Sequence, residues 1–294
     1  MSTSSLVTLV LKELSCSQKD LANKVGVSTY RVKKWLDGEK MDIDMKFRLT
    51  KLLNVEDHYW EFILWTGGIE ESKKWHKLIS QLADIAYAGS ETGYATPQLF
   101  EDLYTLSWNT ISNLKQMGVT IPQKFPEELI FDSVDQSEEE FENFCDAVNQ
   151  NPISKLIYEG FMALNDVWGF YAAYIYEILE SDYDNGELLE MESDFSFCLS
   201  SLAFSKLDLW SEFTPKFGQF KNEITDNYIC WIKRLKIIAT QNRIPLRAEL
   251  LDFVLETPGY LGHQAEAESL GINDSNLHPD IYMNQILTSL HKNS

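Results

Sequence analysis

Cysteine is scarce. The 294 residues hold four, Cys16, Cys145, Cys198 and Cys230. None forms a C-x-x-C pair and no histidine stands at zinc-finger spacing from them. That excludes a zinc ribbon or a disulfide-stapled scaffold, and the expectation is scattered, reduced thiols. The five histidines, His58, His76, His263, His278 and His291, form no metal spacing either. No G-x-S-x-G, H-E-x-x-H or phosphate-cradling glycine loop occurs. The reading is therefore no enzyme, no metal and no cofactor. The run Ser181–Gly186 resembles an EF-hand loop only loosely. Counted from Asp182, its glycine comes one residue early and Ser193 stands where the bidentate glutamate belongs, so it reads as an acidic turn.

Long apolar runs are missing too. The most apolar stretch, Phe161–Leu179, is interrupted by Asn165, Asp166 and Glu177, and reads as a buried helix instead of a membrane span. Met1–Ser5 carries no basic segment, and the apolar residues behind it are broken by Lys12 and Glu13, so a cytoplasmic chain is expected over a secreted one. Period-2 alternation, fixed-period repeats and low-complexity tracts are also lacking. These absences leave a globular, all-α protein.

Positive charge is short overall, with 25 Lys and Arg against 45 Asp and Glu, a net charge of −20. That total alone disfavours a polyanionic partner. Its distribution reverses the inference. Residues 1–66 hold ten basic and nine acidic residues, a balance of +1, whereas residues 67–294 hold 15 and 36, a balance of −21. Asymmetry of this kind marks separate tasks, and Thr66-Gly67-Gly68 is the expected joint. The expected organisation is residues 1–66 as a small helical bundle and residues 67–294 as a larger, acidic, all-helical domain.

What is present is helical periodicity. Val7, Val10, Leu11 and Leu14 share one face of a first helix. Ser17 caps a second helix, with Asp20 in the place of a capping-box acid, and Gly26 closes it. Ser28 caps a third, which stops before Asp37-Gly38. A fourth covers about 44–53 and a fifth 56–65. Further helices are expected at about 70–88, 97–117, 137–149, 153–180, 187–209, 220–241, 246–256 and 279–292, with 118–126 as a loop. The helix at 153–180 carries Tyr158, Phe161, Trp168, Phe170, Tyr171, Tyr174 and Tyr176 all round, and so belongs at the centre of its domain. Its rings either fill the core or line a ligand cavity. Glu138, Glu139, Glu140 and Glu142 suit the positive end of a helix dipole, and Trp75-His76 falls on a half-buried face.

On a wheel of about 100° per residue, pointing Val32 of the third helix at the core brings Trp35 and Leu36 to the same side. Tyr30 and Lys34 then lie opposite, flanked by Arg31 and Lys33. The outward face is three cations and one aromatic, with no carboxylate from the helix itself. Phosphates demand cations and base edges demand donors with reach, so this is the composition of a major-groove reader. Ala22 and Gly26 let the two helices approach and turn, while Leu21, Val25, Val27, Val32 and Trp35 form the wedge between them.

The segment Ser17-Gln-Lys-Asp-Leu-Ala-Asn-Lys-Val-Gly-Val-Ser-Thr-Tyr-Arg-Val-Lys-Lys-Trp-Leu-Asp-Gly38 resembles the lambda-repressor-like (Xre) helix-turn-helix family, over about residues 6–54. The resemblance implies a bundle that binds double-stranded DNA. Thr29, Tyr30 and Lys34 are the candidates for base edges, and Gln18, Ser28, Arg31 and Lys33 for the sugar-phosphate backbone. Gln18 matches the position at which the family's second helix meets phosphate. The chain departs from the family at Leu36, where an acid is usual. Glu39, Asp42 and Asp44 follow where cations would strengthen the grip.

A sequence-specific transcriptional regulator is the leading expectation, working as a homodimer on a near-palindromic site, with a small-molecule or protein effector at the larger domain. Two alternatives stay open. One is an acidic protein-interaction or nucleic-acid-mimicking factor whose helix-turn-helix only dimerises or docks. The other is an unrecognised enzyme with an appended DNA-binding domain.

Overall fold

Helix follows helix in the computed structural model, which describes residues 3–54, 59–131, 137–180, 186–209, 212–241 and 250–272. Among the described residues there is no strand, and the protein is all-α. No helix among them is long and apolar enough to cross a membrane. The contacts divide the chain into two compact units, one of Met1–Ser80, Asp102–Lys115 and Thr120–Gln150, the other of Gln81–Glu101, Gln116–Val119 and Asn151–Ser294.

The first unit begins with α1 (Thr3–Glu13), α2 (Gln18–Val25), α3 (Thr29–Leu36), α4 (Ile43–Leu52) and α5 (Tyr59–Thr66). Their core is Leu6, Val7, Leu9 and Val10 of α1, Leu21, Ala22 and Val25 of α2, Val32 and Trp35 of α3, and Leu49 beside Leu53. The expected stripe on α1 is shifted by part of a turn, since Leu11 and Leu14 are only half-buried. The Ser4 hydroxyl donates to Leu36 O at 2.9 Å, tying the first turn of α1 to the end of α3.

The glycine pair after α5 does not end this unit. Gly67 (φ 102°) and Gly68 (φ 133°) make a tight left-handed turn into α6 (Ile69–Ala88). Lys12 Nζ donates to Gly67 O at 3.0 Å, and Gln123 Nε2 donates to Trp65 O at 3.2 Å. A Cβ on Gly67 would stand 2.0 Å from Gln123 O, so the backbone at 123 packs directly on this turn. The expected boundary after residue 66 is thus a turn inside one unit, and the unit gathers the first part of α6, most of α7 (Leu103–Gln116) and α8 (Glu138–Gln150). The Ser137 hydroxyl and the Glu140 carboxylate cap α8 reciprocally, which accounts for part of its acidic first turn.

The second unit is built round α9 (Pro152–Tyr171), a π-helical turn at Ala172–Tyr176 and α10 (Glu177–Glu180). These pack with α11 (Gly186–Ser205), α13 (Asp252–Leu255) and α14 (Pro258–Ser269), while α12 (Phe217–Gln241) lies against α11. Close approach requires glycine at two places on α9. A Cβ at Gly160 would meet the Phe204 ring at 2.4 Å, and one at Gly169 would meet Thr92 and Ala265 at 2.7–3.0 Å. Asn165 is buried with both amide groups satisfied, donating to Ala86 O at 2.7 Å and accepting from Thr96 Oγ1 at 2.8 Å. Of the seven aromatic residues expected at the centre, Phe161, Phe170, Tyr171 and Tyr174 are buried, whereas Tyr158, Trp168 and Tyr176 are only half-buried. Phe170 and Tyr171 pack on Phe253, and Phe195 lies between Tyr171 and Tyr228. The Tyr174 and Tyr228 hydroxyls donate to Gln264 O and Phe195 O, as buried phenols require.

Three expectations need correction. The helix at 97–117 is a single 3-10 turn, Pro97–Leu99, followed separately by α7, because Asp102 Oδ1 accepts from Thr105 N at 3.0 Å and starts a new helix. The helix at 246–256 is reduced to the short α13 among its described residues. A helix that periodicity did not signal, α14, opens at a Thr257 cap with Pro258 in its first turn. The acidic turn at 181–185 and the helix expected at 279–292 lie outside the described residues.

Candidate nucleic-acid interface

The α2–α3 pair is defined by its caps. The Ser17 hydroxyl accepts from Asp20 N at 3.2 Å while Asp20 Oδ2 accepts from Ser17 N at 3.2 Å, a complete capping box. Hydrogen bonds from the Ser17 hydroxyl and N–H hold the Asp20 carboxyl below the usual aspartate range. Gly26 closes α2 at φ 73°, in the left-handed region, and the N–H groups of Gly26 and Val27 both donate to Ala22 O. Two residues later the Ser28 hydroxyl accepts from Arg31 N at 3.2 Å and starts α3.

α3 is two-sided. Val32 and Trp35 are 0% and 1% exposed, whereas Tyr30 is 69% exposed. Thr29, Arg31 and Lys33 are exposed as well, and Lys34 is partly exposed. Lys34 Nζ lies 5.7 Å from the Tyr30 ring centroid and the Arg31 guanidinium 5.7 Å from that of Trp35, both within cation–π range. Gln18 is exposed as the first residue of α2, and Ser28 is exposed at the start of α3. The seven residues singled out in the sequence therefore lie on the solvent side of one helix pair.

One carboxylate joins them, and the sequence wheel did not place it there. After α3 the chain turns through Gly38 (φ 95°), Gly38 N donates to Trp35 O, and Glu39 N donates to Lys34 O at 2.9 Å. That turn folds Glu39 back along the helix. Its carboxylate forms an ion pair with Arg31 and lies 3.9 Å from Lys34 Nζ. The expected acid-free face thus carries an acid supplied from beyond the helix end. Lys33 has no acidic partner among the described residues and is the unpaired cation of the helix. Asp42 accepts from Met45 N at 2.7 Å as the N-cap of α4, and Asp44 sits in the first turn of that helix, so both acids serve helix formation.

On α4, Lys51 Nζ stands 4.5 Å from the Phe47 ring centroid, and Ile43 and Phe47 are exposed. No His, Cys, Asp or Glu cluster able to hold a metal occurs among the described residues.

Chemically, this surface offers guanidinium and ammonium donors, one flat phenol and two hydroxyls on a short helix anchored from behind by a buried tryptophan. No protein-family model, curated protein or solved structure matches the chain, so the functional reading rests on these residues.

Proposed function

We propose that the α2–α3 pair is a DNA-reading helix-turn-helix of the lambda-repressor-like kind, and that the protein is a sequence-specific transcriptional regulator. The observation that carries the reading is the division of α3: Val32 and Trp35 fully buried on one side, Tyr30 and three cations turned to solvent on the other. In this reading Thr29, Tyr30 and Lys34 meet base edges, the lysine donating to guanine and the ring or methyl packing on thymine. Gln18, Ser28, Arg31 and Lys33 meet phosphate and sugar. One such helix makes few contacts, so a homodimer is proposed, with half-sites one helical turn or a multiple apart, about 34 Å per turn.

A second reading is favoured by Glu39, which occupies Arg31 and Lys34. In that reading the helix pair only dimerises or docks, and the acidic remainder of the chain, with a balance of −21 over residues 67–294, meets a basic protein.

Binding to genomic fragments at several salt concentrations, for the wild type and for Lys34→Ala combined with Tyr30→Ala, separates the two. The regulator shows a steep salt slope and loses sequence selectivity in the double variant. DNA binding that is absent in the wild type overturns it.

A further inference from the structure

A cavity of about 490 Å³ opens in the first unit, with Leu53, Ile63 and Ile69 as its apolar floor and His76 and Tyr104 in its wall. The His76 and Tyr104 rings are stacked, with centroids 4.4 Å apart and planes within 2°. The edge of Tyr59 supports Tyr104 from a second side at 5.1 Å and 89°. Tyr104 nevertheless remains 52% exposed, an unusual state for a ring braced by two others.

The hydrogen bonds fix how His76 presents itself. The Ser107 hydroxyl donates its one proton to Leu103 O at 2.7 Å, so at its 2.8 Å contact with His76 Nδ1 it accepts. His76 thus carries its proton on Nδ1 and leaves Nε2 as an acceptor, with no donor to it among the described residues. Burial lowers the imidazole's pKa, which keeps the ring neutral at physiological pH. Lys73, the one cation among the described lining residues, is paired with Glu70 at 2.7 Å.

We propose that this cavity binds a neutral, planar aromatic or heteroaromatic molecule bearing one N–H or O–H donor, which lies on the apolar floor beside the His76–Tyr104 wall and donates to His76 Nε2. The volume falls within the range of small-molecule sites, roughly 300–1,000 Å³. The apolar floor suits a flat ring, and His76 Nε2 gives its donor an acceptor; Asn54, Ser72 and Lys73 complete the polar part of the lining. The site sits on the same unit as α3, not in the second unit, and its occupancy is independent of whether α3 reads DNA.

Calorimetric titration of the full chain with indole, phenol, 1-methylindole and anisole tests this. Indole and phenol bind, and each binds about ten-fold more tightly than its methylated, donor-free counterpart, the loss expected for one neutral hydrogen bond. His76→Phe keeps a flat ring and brings both ratios to about one. Tyr104→Leu, at a half-exposed position, weakens all four probes. No saturable binding of either indole or phenol at millimolar concentration, or a donor preference that survives His76→Phe in a folded variant, overturns the proposal.

Discussion

Arg31, in the first turn of α3, is ion-paired with Glu39, three residues beyond the helix end. The pair is partly exposed, so it adds little to stability, on the order of 0–1 kcal/mol. In the proposed DNA-reading function its consequence falls on binding. A guanidinium held by a carboxylate must leave it before it meets a phosphate, and the repelled carboxylate stays close to the duplex.

Glu39→Gln should therefore raise DNA affinity several-fold at low salt and steepen the log–log salt slope by roughly 0.9, one phosphate contact's worth. Asp37→Asn removes the same charge without touching Arg31 and should change the slope less. Binding isotherms at four salt concentrations check this. Equal slopes for the two variants would show that the ion pair does not compete with DNA.

The buried side of α3 should be expensive to alter and the outer side cheap. Trp35→Ala is expected to cost about 3–5 kcal/mol, as large aromatic truncations in a core do. Trp35→Phe should cost much less than that, because the buried indole N–H has no hydrogen-bond partner among the described residues to lose. Tyr30→Ala should stay within about 0.5 kcal/mol of the wild type. Urea unfolding of the three variants measures all of these, and a Tyr30→Ala protein as unstable as Trp35→Ala would contradict the two-sided helix.

Gly67→Ala should destabilise the first unit by more than about 1 kcal/mol, since the new methyl collides with the Gln123 carbonyl and φ is positive. Gly38→Ala, where φ is also positive (95°) but a methyl meets open space, is the matched control and should cost less. Thermal melts of the pair decide it. A neutral Gly67→Ala would mean that the 123 backbone moves aside freely.

Asp166 on α9 makes stability depend on pH. Burial pushes its carboxyl up to about 6 from 3.8, against the opposing pull of His263, with Glu91 adding to the rise. The folded protein then binds more protons than the unfolded chain between these values, so stability falls as pH rises through the window. The penalty is complete above about pH 6 and gone below the unfolded value. Asp166→Asn should stabilise the protein at pH 7.5 by on the order of 1 kcal/mol, after allowance for the part of the carboxyl that water reaches, and should match the wild type near pH 4. Urea midpoints at the two pH values provide the comparison, and a gain that persists at pH 4 would assign it to another cause.

The features legible in the sequence are the ones encoded within a few residues. Ser17 and Asp20, Gly26 and Ser28 announce caps whose partners lie within four positions, and the α3 register follows from Val32 and Trp35 alone. The break between Pro97–Leu99 and α7 was also local, in Asp102, but apolar residues on both sides masked it. α14 has Thr257-Pro258 at its start yet little amphipathic contrast, because it packs on α9 through small residues such as Gly262 and Ala265. Glu39 escaped the wheel because a left-handed Gly38, not helical spacing, returns it to α3. The His76–Tyr104 wall joins residues from two different helices, and a half-buried histidine beside Trp75 was its one sequence trace.

The π turn at Ala172–Tyr176 adds one residue to what would otherwise be a continuous helix from α9 into α10. Each residue of an ordinary helix turns the chain by about 100°; the wider π turn takes up the extra residue, so the helix after it continues in step with the helix before it. Ile178 and Leu179 just behind it are buried. Excising one residue of the turn would leave an unbroken α-helix with Ile178 and Leu179 still facing inward, which makes this segment more tolerant of a single deletion than an ordinary helical turn is.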